Sequence, residues 1–328
     1  MKRNAAIARK DHKAARFFCI IVVTTGQSRR AAGIYLFFMG YNKAALQMMV
    51  RSFKDVECSG KVLTYGRNGV DASYEQLLEI FRAENRKYRT LPASEIVLDP
   101  LTQFGASIHQ DVFFKLLGFT EVHSVDYFDN EKPTFVLDLN KRIPASMEGQ
   151  YDLVSDAGTL EHCFDVKEAL FNTVRLLKPG GHVCFCAPMS GYVDHGFYSF
   201  SPTLFRDFFG QNGFDRMQLD ILADNGNNAN LKTRRYDYAP GTAEIIRDLF
   251  KISGIFFLAR KGTSAEPRVP IQGYYRAEFG GESVPREKAA WKETVKKVLG
   301  LKFAYFLYRL SLRLRRFVIL NFKYERMK

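Results

Sequence analysis

Three short strand-like runs in this chain each stop on an aspartate, and that repetition restricts the fold more than any other feature. Residues 121–125 lead into Asp126, 134–137 into Asp138 and 151–155 into Asp156. Apolar runs of this length bounded by polar residues read as strands. Helical spacing fills the stretches around them: 74–88, 113–117 closed by Gly118, 166–177 and 204–209. Further strands are expected at 61–65, 182–187, 214–222 and 254–259, with a helix near 243–250. Strands alternating with helices imply an α/β fold, a mostly parallel sheet with crossover helices. In such a sheet the carboxyl ends of the strands share one edge, where the ligand crevice forms. Three acids at three such ends mark a binding site rather than solvated loops.

At 328 residues the chain is long enough for one large or two modest domains with a sizeable core. A hydrophobic share of 46% with 25% charged residues excludes a disordered or fibrous chain. The five cysteines (Cys19, Cys58, Cys163, Cys184 and Cys186) form no CxxC pair and have no histidine at zinc-finger spacing. That pattern excludes a disulfide framework, calls for no metal, and fits a reducing compartment. Cys184 and Cys186 alternate along an expected strand and are read as small buried hydrophobes.

The net charge of +13 is concentrated at the two ends. Residues 1–38 hold eight Lys/Arg against Asp11, and 289–328 hold eleven against Glu293 and Glu325, so the middle is slightly acidic. The core therefore offers no surface for specific nucleic-acid binding. The first 40 residues resemble a secretory leader in charge and in the apolar run 17–23, but Gln27-Ser28-Arg29-Arg30 stands where a small-x-small cleavage site belongs. A membrane span needs about 20 apolar residues, and Arg29 and Arg30 interrupt the run. Residues 1–40 are read as a basic arm or as sequence upstream of a natural start at Met39.

Residues 41–262 form the α/β domain, 263–288 a linker and 289–328 a basic tail. Within 295–322, Leu299, Phe303, Phe306, Leu307, Leu310, Leu314, Phe317 and Val318 recur at three- and four-residue steps. Lys302, Arg309, Arg313 and Arg316 gather on an adjoining face. Such a helix suits an anionic lipid interface, or an apolar face packed on the domain or on another copy; the oligomeric state is open.

The strand ends suggest their own ligand. Gly66-Arg67-Asn68-Gly69 follows the first strand, but no GxGxxG opens a helix and no Walker lysine follows. Asp126 sits where an acid would grip the two hydroxyls of a ribose, and Asp138-Leu139-Asn140 where an adenine amino group would be read. Together these describe a nucleoside pocket without a phosphate cradle. A nicotinamide dehydrogenase shares the sheet type but needs the missing glycine fingerprint.

One run is more specific: 151–162, YDLVSDAGTLEH, followed by Ala169-Leu170 and by Arg175-Leu176-Leu177-Lys178-Pro179-Gly180-Gly181. From about Val62 to Phe214 the chain resembles a class I S-adenosylmethionine-dependent methyltransferase of the type 11 kind. The resemblance implies a Rossmann-like seven-stranded sheet with helices on both faces, and S-adenosyl-L-methionine as cofactor. It implies Gly66, Arg67 and Gly69 near the methionine part, Asp126 on the ribose, and Asp138, Leu139 and Asn140 near the adenine. Asp156, Gly158, Glu161 and His162 would face the methionine and substrate side.

The stretch Asp194-His195-Gly196-Phe197-Tyr198-Ser199-Phe200-Ser201-Pro202 looks like a branch found among polysaccharide-modifying proteins, with Tyr198 on the substrate side. His195 is the candidate general base, or a loop residue shaping the pocket, and His162 a positioning residue. The family's glycine-rich first motif is altered here. Arg67 pairs with the cofactor's carboxylate or fills the pocket. Gly66 and Asp126 lie 60 positions apart, so about 74–107 is expected to be an insertion serving as a lid.

The implied activity is methyl transfer to a small molecule, a saccharide or a lipid-linked glycan. The cofactor's usual compartment places it in the cytoplasm, on the inner membrane face. The alternative is a catalytically inactive binding or scaffold protein of the same fold.

Overall fold

The computed structural model describes residues 40–99, 107–224, 234–237 and 252–279, with Leu310, Leu314 and 325–326 near the C-terminus. The expectations for the basic arm, for a helix at 243–250 and for most of the basic tail fall outside these residues. Strands are β1 Lys61–Tyr65, β2 Glu121–Asp126, β3 Phe135–Val136, β4 Tyr151–Ala157, β5 Leu177–Ser190, β6 Phe214–Asp224, β7 Arg234–Asp237, β8 Ile252–Lys261 and β9 Glu325–Arg326. Helices are α1 Lys43–Ser52, α2 Tyr74–Ala83, α3 Gln110–Leu117, α4 Val166–Leu176, α5 Pro202–Gln211 and α6 Gly273–Phe279.

Among the described residues the strands make one sheet in the order β3-β2-β1-β4-β5-β8-β6-β7-β9. β3, β2, β1, β4 and β5 are mutually parallel, and β8 is antiparallel to both β5 and β6. The seven strands from β3 to β6 therefore run one way except for β8, which is the seven-stranded, mostly parallel sheet expected. The short β7 and β9, antiparallel additions at the edge, were not expected from sequence.

Strand periodicity of two sends alternate side chains to opposite faces. Val62, Leu153, Cys184 and Phe256 join α1, α2 and α3 in one buried cluster with Leu46, Met49, Phe81, Phe113 and Phe114. Their neighbours Leu63, Val154, Phe185 and Phe257 join α4 and α5 in the other, with Leu170, Val174, Phe205 and Phe209. Cys184 and Cys186 are buried and free, as expected of small hydrophobes. Each fully buried phenylalanine contributes about 1.5–3 kcal/mol relative to an exposed one.

Helix starts follow ordinary capping chemistry. Asn42 caps α1, Ser73 and Gln76 form a capping box on α2, and Asp165 caps α4. Gly118 closes α3 at φ +122, where a Cβ would meet the Cys58 carbonyl oxygen at 2.6 Å.

Two expectations change here. The 74–107 segment is not a free lid in its helical part: α2 buries Leu77 and Phe81 in the core, and Glu84 at its end binds Arg51 of α1 at 2.7 Å. The start of the expected linker is docked rather than loose. Asn212 at the end of α5 donates to the Arg268 carbonyl and accepts from its N–H, and Gly273 N–H donates to Asp207. The Lys178-Pro179-Gly180-Gly181 turn lies inside β5 as a bulge: Leu177 pairs with Tyr151, and pairing resumes at His182 with Leu153.

Among the described residues no helix is long and apolar enough to cross a membrane.

Candidate functional site

Pairing register fixes which strand ends are neighbours. Tyr65 lies opposite Val125 on β2 and opposite Asp156 on β4, and Asp156 lies opposite Phe185 on β5. Gly66, Asp126, the 138–140 turn, Gly158 and the loop after β5 thus open on one edge of the sheet. What each side chain does at that edge differs.

Gly66 holds φ +73, and a Cβ there would sit 2.5 Å from Thr159 Oγ1. That hydroxyl donates to the Tyr65 carbonyl at 2.9 Å, so the turns after β1 and β4 are stitched together. Only glycine fits so close an approach at positive φ. Gly69 is covered: its carbonyl accepts the Tyr41 N–H at 2.9 Å, while Gly40 N–H donates to the Ala157 carbonyl at 3.0 Å. This strap of Gly40 and Tyr41 crosses the β1 and β4 ends, and the buried Tyr41 hydroxyl donates to Ser155 Oγ at 2.9 Å. Nothing in the local sequence signals the strap, since its partners lie up to 117 residues away.

Of the two roles expected of Arg67, its hydrogen bonds favour the one in which it occupies space within the protein. Its Nε donates to His109 Nε2 at 2.9 Å, one terminal nitrogen to the Glu131 carbonyl at 2.6 Å, and the other to Asp99 Oδ1 at 2.9 Å. The Arg67 and Asp99 side chains are only 9% and 5% exposed. Each of its three nitrogens makes one hydrogen bond within the protein, and together they tie three loops into a clamp at the rim. Asp99, which sequence reasoning missed, follows the apolar residues 96–98.

Asp156 is a correction. It is wholly buried and accepts from the Thr159 N–H at 2.9 Å and the Leu160 N–H at 3.3 Å. Burial, with Glu161 adding to it, pushes its carboxyl well above the usual carboxylate range. It shapes the turn carrying Gly158, at φ +106, and presents nothing to a ligand. Leu139 is likewise a core residue, 6% exposed.

Asp126 and the 138–140 turn remain open. Asp126 Oδ1 accepts the Phe128 N–H at 3.3 Å and its other oxygen makes no hydrogen bond among the described residues. Asp138 Oδ1 accepts from the backbone N–H of Asn140 at 3.0 Å and from its side chain at 2.8 Å, and these bonds hold its carboxyl below the usual range. Asn140 Oδ1 in turn accepts the Asp165 N–H at 2.8 Å, anchoring this turn to the start of α4. Beside Asp126 stand the exposed rings of Tyr127 and Phe128, with centroids 4.8 Å apart.

Glu161, His162 and His195 come together on the far side of this edge. Glu161 is 1% exposed, and its Oε1 lies 3.2 Å from His195 Nε2. The loop after β5 is fastened there, because Phe197 and Tyr198 both donate N–H groups to the Glu161 carbonyl at 2.8 and 3.3 Å. Gly196 sits at φ +69, where a Cβ would meet that carbonyl oxygen at 2.8 Å. His162 is exposed, and its ring centroid is 5.0 Å from that of His195. Tyr198 donates its hydroxyl to the Phe164 carbonyl at 2.8 Å. Exposed Phe164 and Phe197 meet edge to face at 5.5 Å and rim this corner.

No protein-family model matches the chain, and no curated protein matches it as a relative. Solved structures do. An S-adenosylmethionine-dependent methyltransferase of Thermotoga maritima is 13% identical over 67% of this chain and 90% of that one, with a TM-score of 0.35. One from Archaeoglobus fulgidus is 14% identical over 67% and 92%, with a TM-score of 0.35. The phosphoethanolamine N-methyltransferase 2 of Haemonchus contortus, solved with S-adenosyl-L-methionine, is 11% identical over 68% of this chain and 52% of that one, with a TM-score of 0.37. Identities of this order leave the chemistry to be read from the residues of this chain.

Proposed function

We propose that this chain is an S-adenosyl-L-methionine-dependent methyltransferase. The observation that carries the reading is the shared edge: a glycine turn at Gly66, a partly open Asp126 on the next strand and the Asp138–Asn140 turn beyond it. A carboxylate at Asp126 accepts from the two ribose hydroxyls, each charge-assisted bond contributing roughly 1.5–3 kcal/mol. The exposed Tyr127 and Phe128 rings give an adenine a face to lie on.

Methyl transfer from a sulfonium is an in-line displacement on a carbon already activated by the cofactor. What the protein supplies is mainly placement, with nucleophile and methyl carbon held about 3–3.5 Å apart. Glu161 and His195 stand on the acceptor side of that line, behind the aromatic rim of Phe164 and Phe197. The acceptor proposed is a saccharide or lipid-linked glycan, whose hydroxyls would reach this corner and whose sugar faces would lie on those rings.

A location at the inner membrane face is part of the proposal. Leu310 and Leu314, four positions apart in the sequence, are 42% and 59% exposed, and two exposed leucines at that spacing support an apolar stripe suited to a lipid interface. Flotation with anionic vesicles should carry the full chain, and a Leu310→Asp, Leu314→Asp variant should stay behind. Equal flotation of both removes the membrane element.

Calorimetric titration of the full chain with S-adenosylmethionine tests the central reading, and saturable heat is expected. The tied-down Arg67 favours a second reading, an inactive scaffold of the same fold, and no heat at millimolar cofactor would select it.

A further inference from the structure

Glu161, His162 and His195 each present a ligand atom, and these atoms all lie within 4.8 Å of one another. Sequence spacing hides the cluster, because 34 residues separate Glu161 from His195. Glu161 supplies a second observation: its Oε2 is buried and has no hydrogen-bond partner among the described residues. A buried carboxylate oxygen left without a partner is unusual, and a bound ion is one of its ordinary explanations.

From this geometry we infer that Glu161, His162 and His195 form a binding site for a divalent transition-metal ion. One carboxylate and two imidazoles are a borderline donor set, suited to Zn²⁺, Co²⁺ or Fe²⁺ rather than to Ca²⁺ or Mg²⁺, which prefer all-oxygen ligands. Three protein ligands leave coordination positions open, the pattern of sites that bind water or substrate. Ligand atoms about 2.0–2.1 Å from such an ion lie roughly 3–3.5 Å apart in a tetrahedron. The 3.2 Å between His195 Nε2 and Glu161 Oε1 already meets that spacing, and the exposed His162 ring has room to close the third position. The backbone bonds from Phe197 and Tyr198 to the Glu161 carbonyl, with Gly196 packed against it, hold the two distant ligands together.

The consequence for the reaction rests on the methyltransferase reading. An ion here would take the acceptor's oxygen in an open position and lower the pKa of that hydroxyl, the Lewis-acid role, so that its proton would pass to solvent water as the oxygen bonds the methyl carbon and the sulfonium leaves as a neutral thioether. A histidine bound to the ion through Nε2 cannot also collect a proton there. The site therefore replaces the expected part of His195 as general base. Cys163 is no part of the set, as its Sγ is turned to the Thr159 carbonyl at 3.8 Å.

The test is titration of the chelator-treated full chain with Co²⁺, read by visible absorption. One equivalent should bind with ligand-field bands and no thiolate charge-transfer band. His162→Ala, which removes an exposed side chain, should weaken binding at least about tenfold, as should His195→Ala and Glu161→Gln. Thermal melting of each variant shows whether it is folded. No saturable binding, a thiolate band, or unchanged affinity in folded His162→Ala overturns the site. Parallel titration with S-adenosylhomocysteine separates the two ideas. Cobalt binding without nucleoside binding keeps the ion site and removes its role in methyl transfer, and the reverse removes the ion site alone.

Discussion

Two corners of one sheet edge use similar residues in opposite ways. At the Arg67 corner the polar groups are engaged with one another, the guanidinium on Asp99, His109 and the Glu131 carbonyl. At the Glu161 corner a buried carboxylate keeps one oxygen without a partner, beside two imidazoles and an exposed aromatic rim. The first corner is built to hold loops in place and the second to receive something. Asp126, with one oxygen on Phe128 N–H and the other open, lies between these extremes. Position at a strand end therefore does not by itself assign function; what decides is whether the donors and acceptors there are already matched within the protein.

If the Arg67 corner is structural, breaking it should cost most. Arg67→Met leaves the 5% exposed Asp99 side chain without its guanidinium and should lower unfolding free energy by about 3–5 kcal/mol in urea denaturation. A loss under about 1 kcal/mol would mean that the clamp is not structural and would return Arg67 to the ligand.

Asp126→Ala should do the reverse. Affinity for S-adenosylhomocysteine should fall at least about tenfold in calorimetry, from the loss of charge-assisted bonds. Stability should stay within about 0.5 kcal/mol. Tyr41→Phe removes only the strap's hydroxyl from Ser155 and should cost about 1 kcal/mol by the same denaturation measurement.

The smallest effect is a pH dependence at Asp138. Its folded carboxyl is held below the usual range by Asn140, so the stability it adds is complete above its unfolded pKa. That contribution is lost as pH falls through the depressed folded value. The stability gap between wild type and Asp138→Ala should therefore narrow in acid, and a gap that widens would contradict the assignment.

The parts of the fold legible in sequence are those with local periodicity. β1, β2, β4 and β5 announce themselves as apolar runs, α4 by its amphipathic spacing, and the aspartates by stopping the strands. β7 and β9 escaped because Arg234-Arg235-Tyr236-Asp237 and Glu325-Arg326 contain no apolar run to mark a strand. Lys178-Pro179-Gly180-Gly181, between the helix expected at 166–177 and the strand expected at 182–187, bulges within β5 instead of preceding it.

Site chemistry was less legible because it depends on long-range partners. Asp99 claims Arg67 across 32 residues, and Glu161 meets His195 across 34. Asp126 and Asp156 look alike in sequence, each an acid after an apolar run. Only the Thr159 and Leu160 amides show that Asp156 is turned inward.

The central claim is that the ends of β1, β2 and β3 converge on one adenosine. The most direct measurement is a crystal structure of the full chain soaked with S-adenosylhomocysteine. The account predicts ribose hydroxyls within hydrogen-bond distance of Asp126 and the adenine beside the 138–140 turn. A nucleoside bound on another surface, or an empty edge at saturating concentration, would contradict it.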